Sequence, residues 1–242
     1  MDYIIEIATA DFETTRSAVA GGADRIELCA ALSEGGTTPS AGTIRKCREK
    51  FAVQLFPIIR PRGGDFLYTD EEFAIMLADV KQCREYGCDG VVSGFLHRDG
   101  TVDAGRTEKL VAAAFPMEVT FHRAFDRCRD PFEAMELLIT LGCQRILTSG
   151  QQPTAPQGAA LIAHLVQQAS QRIIIMPGSG VRSDNIADIA KRTGAVEFHS
   201  SLRSRAASLM DFVHPAFAES EESYTRPHID PQEVRALRQA LG

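Results

Sequence analysis

LGCQRIL, Leu141–Leu147, packs the end of one element and the start of another into a short stretch. Gly142 is the residue type that closes a helix in the left-handed conformation. Arg145 to Leu147 then opens an apolar run of strand length. The same device recurs as GGADRIEL (Gly21–Leu28), YGCDGVV (Tyr86–Val92) and TGAVEFH (Thr193–His199). Outward from these marks, short apolar runs alternate with amphipathic stretches along the whole chain. Strands are expected at Tyr3–Ala8, Arg25–Cys29, Val53–Arg60, Gly90–Gly94, Met117–His122, Arg145–Ser149, Ile173–Met176 and Ala195–His199. Helices are expected over roughly 11–21, 40–50, 70–86, 104–114, 130–141, 156–169 and 183–192, with a last one over about 231–241 behind Pro231. Asp70 and Asp130 read as N-caps. Eight strands, each followed by a helix-sized segment, predict an α/β fold: a single (β/α)8 TIM-type barrel spanning residues 1–242. An open doubly wound sheet is the rival, but it uses fewer strands, and no GxGxxG follows the first one. Ser201–Asp230, before the last helix, has no clear pattern and reads as a lid, an oligomer contact or a loop.

Composition narrows the function classes. The chain has 242 residues, 44% of them apolar, and a net charge of −6. That length fits one α/β barrel. The acidic balance argues against a nucleic-acid binder, whose surface is normally basic. No apolar run approaches the ~18 residues of a membrane span. MDYIIEIATADF lacks the basic start and long apolar core of a secretory leader, so a cytoplasmic location is expected. The six cysteines form no CxxC pair and are expected as reduced thiols.

Alternation along each strand sorts side chains to the helix layer or to the barrel axis. Val53, Leu55, Pro57 and Ile59 share an apolar face, so Arg60 points inward at the mouth, with Arg62 just above it. Glu6 goes inward opposite Tyr3, Ile5 and Ile7. Glu27 and Cys29 go inward against Ile26 and Leu28; Thr120 and His122 against Val119 and Phe121; Glu197 and His199 against Val196 and Phe198. The fourth, sixth and seventh strands are ambiguous. Ionisable groups at the axis must pair, change protonation or hold a ligand. One reading is a charged plug, with Glu6, Glu27 and Glu197 balancing Arg60 and Arg62. The other is a ligand site at the carboxyl end of the strands, where such barrels place their chemistry.

Loops on the same rim favour the second reading. LTSGQQ (Leu147–Gln152) offers Ser149 and Gln151 as hydrogen-bonding groups. MPGSGVRSDN (Met176–Asn185) places Gly178 and Gly180 before a helix, where amides cradle an anion. FHSSLRSR (Phe198–Arg205) adds Ser200, Ser201 and two arginines. In TFHRAFDRCRDP (Thr120–Pro131), His122 reads as a general base oriented by Asp126 or a glutamate. The candidate catalytic set is therefore His122, Glu27, Glu6, Asp126 and His199. The candidate anion ligands are Arg60, Arg62, Ser149, Gln151, Gly178, Gly180, Ser200 and Ser201. Cys47, Cys83 and Cys143 read as structural; Cys29 and Cys128 are the thiols within reach of the mouth.

GGADRIELCAALSEGGTTPS, PIIRPRGGDFLYTDEEF, VTFHRAFD, RILTSGQQ and GSGVR…EFHSS closely resemble the CutC family of copper-homeostasis proteins. The resemblance covers almost the whole chain and weakens after about Arg203. It implies a TIM-type barrel, a cytoplasmic location, homo-oligomers and a copper-handling role with copper-ion binding. Cys29 matches the family's ELC position and is the one copper ligand it implies. Cu(I) favours thiolate and thioether donors, whereas this chain has no clustered Met, and EIATADF after the first strand has no Cys. Glu6, Glu27, His122, Glu197 and His199 are donors of the kind that hold Zn or Mn. Three functions thus stand open: copper homeostasis, an enzyme acting on a small carboxylate or phosphorylated metabolite, or a barrel retained for partner binding around a charged plug.

Overall fold

The computed structural model describes residues 3–219 and 224–242. Its order is β1 (Ile4–Thr9), α1 (Phe12–Ala20), β2 (Arg25–Leu28), α2 (Ala41–Lys50), β3 (Gln54–Pro57), α3 (Asp70–Glu85), β4 (Gly90–Ser93), α4 (Ala104–Ala114), β5 (Glu118–Phe121), α5 (Pro131–Thr140), β6 (Arg145–Thr148), α6 (Ala155–Ala169), β7 (Ile174–Pro177), α7 (Ile186–Thr193), β8 (Glu197–Ser200), a hairpin β9 (Ser204–Ala207) and β10 (Thr225–His228), and α8 (Pro231–Leu241). The fold is the (β/α)8 barrel that the alternation predicts. Two parallel half-sheets, β3-β2-β1-β8 and β4-β5-β6-β7, make its wall. An Ile58–Val92 bridge joins β3 to β4, and the Ile59 amide donates to the Val92 carbonyl at 2.7 Å. At the other seam, the Ser200 hydroxyl donates to the Val181 carbonyl at 2.7 Å, tying the ends of β7 and β8. Outside, α8 packs on both α7 and α1 and so fills the eighth helix position.

Local signals explain where elements begin. Asp11 with Thr14, and Thr69 with Glu72, form capping boxes. Thr69 is therefore the cap of α3, not Asp70, which instead lends its charge to the first turn. Asp130 caps α5 ahead of Pro131, and Asp230 caps α8 ahead of Pro231. Helix α7 begins only at Ile186, because Asn185 closes a turn on the Arg182 amide first. The Gly178–Gly180 loop thus stands apart from a helix N-terminus. Ser201–Asp230 holds the antiparallel hairpin; residues 220–223 of that segment lie outside the described residues.

Apolar packing occurs in two shells. The larger joins outward residues such as Ile7, Leu28, Leu55, Val119 and Phe198 to the helices. Val196, expected on this face, is exposed because β8 starts one residue later. The smaller shell, Cys29, Phe56, Ile58 and Val92, lies inside the barrel. Strand β4 makes room for it. A Cβ on Gly90 would lie 2.1 Å from the Phe56 ring, and one on Gly94, just past the strand, 2.6 Å from His122 Nδ1.

Candidate active site at the barrel mouth

The interior charges fall into layers. In the lowest, Arg25 Nε donates to Glu6 Oε2 at 2.5 Å, and Arg25 Nη2 pairs with Glu197. Arg145 Nε donates to the same Glu197 Oε2 at 2.7 Å and Nη2 to Glu118 at 3.1 Å. The Phe56 ring faces both guanidiniums, at 5.2 and 5.5 Å. Burial would raise the Glu6 pKa, but Arg25 and His199 outweigh it and hold the carboxyl at about 2. A charged plug therefore exists, yet Arg25 and Arg145 build it, not Arg60 and Arg62. Arg25 shares the inward face of Glu27, a signal present in the sequence. Arg145 gave none, since RILT is apolar at the next two positions and fixes no parity.

The cavity floor lies above the plug. Glu6 Oε1 accepts from His199 Nδ1 at 2.7 Å, so Nε2 is the nitrogen that looks towards Glu27, 3.8 Å from its Oε2. Burial drives the Glu27 pKa up; His199 is raised too, because Glu27 and Glu6 outweigh its own burial. Cys29 Sγ lies 3.5 Å from Glu27 Oε2, and burial, reinforced by that carboxyl, pushes the thiol well above its ordinary value.

A cavity of about 440 Å³ opens above this floor. Five arginines (60, 123, 127, 182 and 203) and three carboxylates (Glu27, Glu34 and Asp126) line it. Arg60, 4% exposed, comes up from the end of β3. Its Nη1 donates to the carbonyls of Glu34 and Gly36 at 3.0 and 2.9 Å, and its Nη2 to that of Gly64 at 2.9 Å. It makes no ion pair among the described residues, and its Nε has no partner. The expected carboxylate partners are absent because backbone carbonyls of two glycine-containing loops take their place. The Phe66 ring supports the Arg60 guanidinium at 5.0 Å and stacks on His122 at 4.7 Å.

His122 is a neutral donor instead of the expected base. Its Nδ1 accepts from the Ala124 amide at 3.2 Å, which places the proton on Nε2, and Nε2 has no acceptor in the protein. Burial, with the Arg60 charge beside it, lowers its pKa to about 3. Asp126 does not orient it. That carboxylate accepts from Thr148 Oγ1 at 2.5 Å, from Ser149 and Gln151 amides, and from Arg123 Nε.

The structure divides the remaining rim residues. Gly180, Ser200 and Ser201 line the cavity, and the amides of Gly180 and Val181 have no acceptor among the described residues. Gly178 sits just beneath, against Leu147 and His199. Ser149 and Gln151 are turned away: Ser149 Oγ contacts Asp126, and Gln151 Nε2 donates to the Cys128 carbonyl. Arg62 also lies outside, bridging Glu72 and Asp65 on the half-exposed β3–α3 loop. Missed by the alternation argument are Arg127, Arg182 and Arg203, which reach the cavity from loops where strand parity has no hold.

Copper tests this donor set. Cu(I) calls for soft sulfur ligands. Cys29 is one buried, protonated thiol beside a carboxyl, outside the cavity lining. The one close group of metal-type ligand atoms among the described residues is Glu6, Glu27 and His199, all oxygen and nitrogen. The mouth does not fit Cu(I) held by thiolates.

Comparison with known proteins places these features in a family. The CutC family model matches residues 3–204. A CutC family protein of Chromobacterium violaceum is 49% identical over 244 residues, covering 100% of this chain and 99% of its own. The human copper homeostasis protein cutC homolog is 44% identical over 239 residues, covering 97% and 88%. A crystal structure of CutC from Streptococcus agalactiae superposes with a TM-score of 0.79 at 32% identity, over 82% of this chain and 98% of that one.

Proposed function

Because the chain belongs to the CutC family, we propose that it serves copper homeostasis, and that its working site is the arginine-lined mouth, which takes a small carboxylate or phosphorylated ligand. The copper role rests on the names of relatives such as the human homolog. The anion reading rests on one observation: Arg60 is buried on the cavity wall without a carboxylate partner, beside a His122 Nε2–H that lacks an acceptor. A buried cation without a counter-charge is costly, and an anion supplies both the charge and the missing acceptor. Arg182, Arg203, Gly180 and Val181 also line the cavity. His122 would polarise a ligand oxygen as a neutral donor. Copper enters as cargo, and the buried Cys29 thiol is not assigned as its ligand. Six buried cysteines, none in a disulfide, support a reducing cytoplasm. A second copy of the chain is the partner we assign to the hairpin arm.

Calorimetric titration with inorganic phosphate and with malonate tests the anion site. Arg60→Gln is expected to weaken whichever probe binds by ~10-fold or more, as loss of a charged hydrogen bond costs ~1.5–3 kcal/mol. Arg62→Gln, outside the cavity, is expected to leave it unchanged. If neither probe binds the parent, or if Arg62→Gln is the damaging change, the reading fails.

A further inference from the structure

We propose that Glu27 and His199 form a binding site for a divalent transition-metal ion at the cavity floor, with Glu6 as the group that orients the imidazole. The argument is independent of the anion reading. Both Glu6 oxygens are already engaged: Oε2 receives Arg25 and Oε1 receives His199 Nδ1. Glu6 therefore fixes the ring, and an ion that displaces the Nε2 proton meets the lone pair there, the carboxylate–histidine–metal arrangement of many sites. His199 Nε2 and Glu27 Oε2 lie 3.8 Å apart. That is too long for a hydrogen bond. It is close to the spread of two ligands that each sit ~2.1 Å from one zinc ion. Both residues line the cavity, so the remaining coordination positions open onto it, as they do in sites that bind water or a substrate.

The donor types select the ion. One imidazole nitrogen and carboxylate oxygen suit Zn²⁺ or Mn²⁺ and disfavour Cu(I). Cys29 stands behind Glu27, its thiol directed at Oε2 and outside the cavity lining. It supports Glu27 and is not a ligand. An ion held here shares the cavity with the arginines that line it, so a bound anion would meet both the metal cation and guanidinium groups.

Two measurements on the purified chain decide the proposal. Zn²⁺ titration by calorimetry is expected to give one more bound ion in the parent than in Glu27→Gln; surface histidines bind equally in both and cancel. Cys29→Ser keeps a hydrogen-bond donor towards Glu27 and is therefore expected to hold that ion within ~3-fold of the parent affinity, whereas loss of a true ligand costs more than the ~10-fold of a lost outer-shell partner. Co²⁺ loading of the unaltered chain needs no variant and reads the ligands directly. Visible bands without sulfur-to-cobalt charge transfer are expected. A strong charge-transfer band, equal Zn²⁺ uptake by parent and Glu27→Gln, or loss of the ion in Cys29→Ser would each overturn the assignment.

Discussion

His122 gives its one acceptor nitrogen to the Ala124 amide and keeps a proton on Nε2 that nothing in the protein receives. Its pKa falls from the ordinary 6.5 to about 3, by burial first and the Arg60 charge second. Between those two values the unfolded chain binds a proton that the folded chain refuses. Stability therefore rises with pH across this window: the contribution is complete above about pH 6.5 and is lost as pH falls towards 3. At ~1.4 kcal/mol per pKa unit, the loss between pH 6.5 and 4 is roughly 3 kcal/mol. Urea unfolding of His122→Asn is expected to show a pH slope shallower than the parent's by that amount; parallel slopes would mean that the ring is solvated or paired in solution. Arg60 complements it at the same scale. Its Nη groups are satisfied by carbonyl oxygens, which carry no net charge, so the site keeps a positive centre for a ligand.

At the scale of elements, β4 is the thin wall of the barrel. Glycine at 90, and at 94 just beyond the strand, lets Phe56 from β3 and His122 beyond β5 approach its backbone. Phe56 has little freedom to retreat, since Arg25 and Arg145 stand over it. Gly90→Ala is therefore expected to cost about 3 kcal/mol or more, the upper range for overpacking. Gly105→Ala, on α4 with its nearest neighbour atom at 3.8 Å, is expected to gain about 0.5–1 kcal/mol. Denaturation midpoints that move the same way for both would refute the wall. The elements were legible because apolar runs mark the strands and a glycine closes the helix before four of them; α2, α4 and α6 end at Phe51, Phe115 and Ser170 instead. The inward set Glu6, Glu27, His122, Glu197 and His199 was legible because the residues between them are apolar. Arg62 was misplaced because alternation was carried past the end of β3, through Pro61, into a loop that answers to Glu72 and Asp65 instead. The protonation of His122 depends on a bond to an amide two residues away, which no spacing rule encodes.

Across the whole molecule, one part departs from the barrel plan. Between β8 and α8, the chain leaves the wall, forms the β9–β10 hairpin and returns to fill the eighth helix position. The family match ends at residue 204, where this arm begins. The part between the hairpin strands exposes large apolar side chains: Leu209 is 84% and Phe212 66% accessible, and Met210, Val213 and Phe217 stand exposed beside them. Elsewhere among the described residues, large exposed apolar groups are scattered. Exposed apolar side chains gathered on one segment in this way are the mark of an interaction surface. Assigned to a second copy, the arm would bury these groups by symmetric contact, since each copy carries the same patch. Sedimentation equilibrium at tens of micromolar is expected to give a dimer or larger assembly for the parent. The Leu209→Ser, Phe212→Ser double variant is expected to shift towards monomer while keeping the barrel's circular dichroism, because neither side chain packs in the core. A parent that remains monomeric, or a double variant that associates as strongly, would leave the arm to another partner.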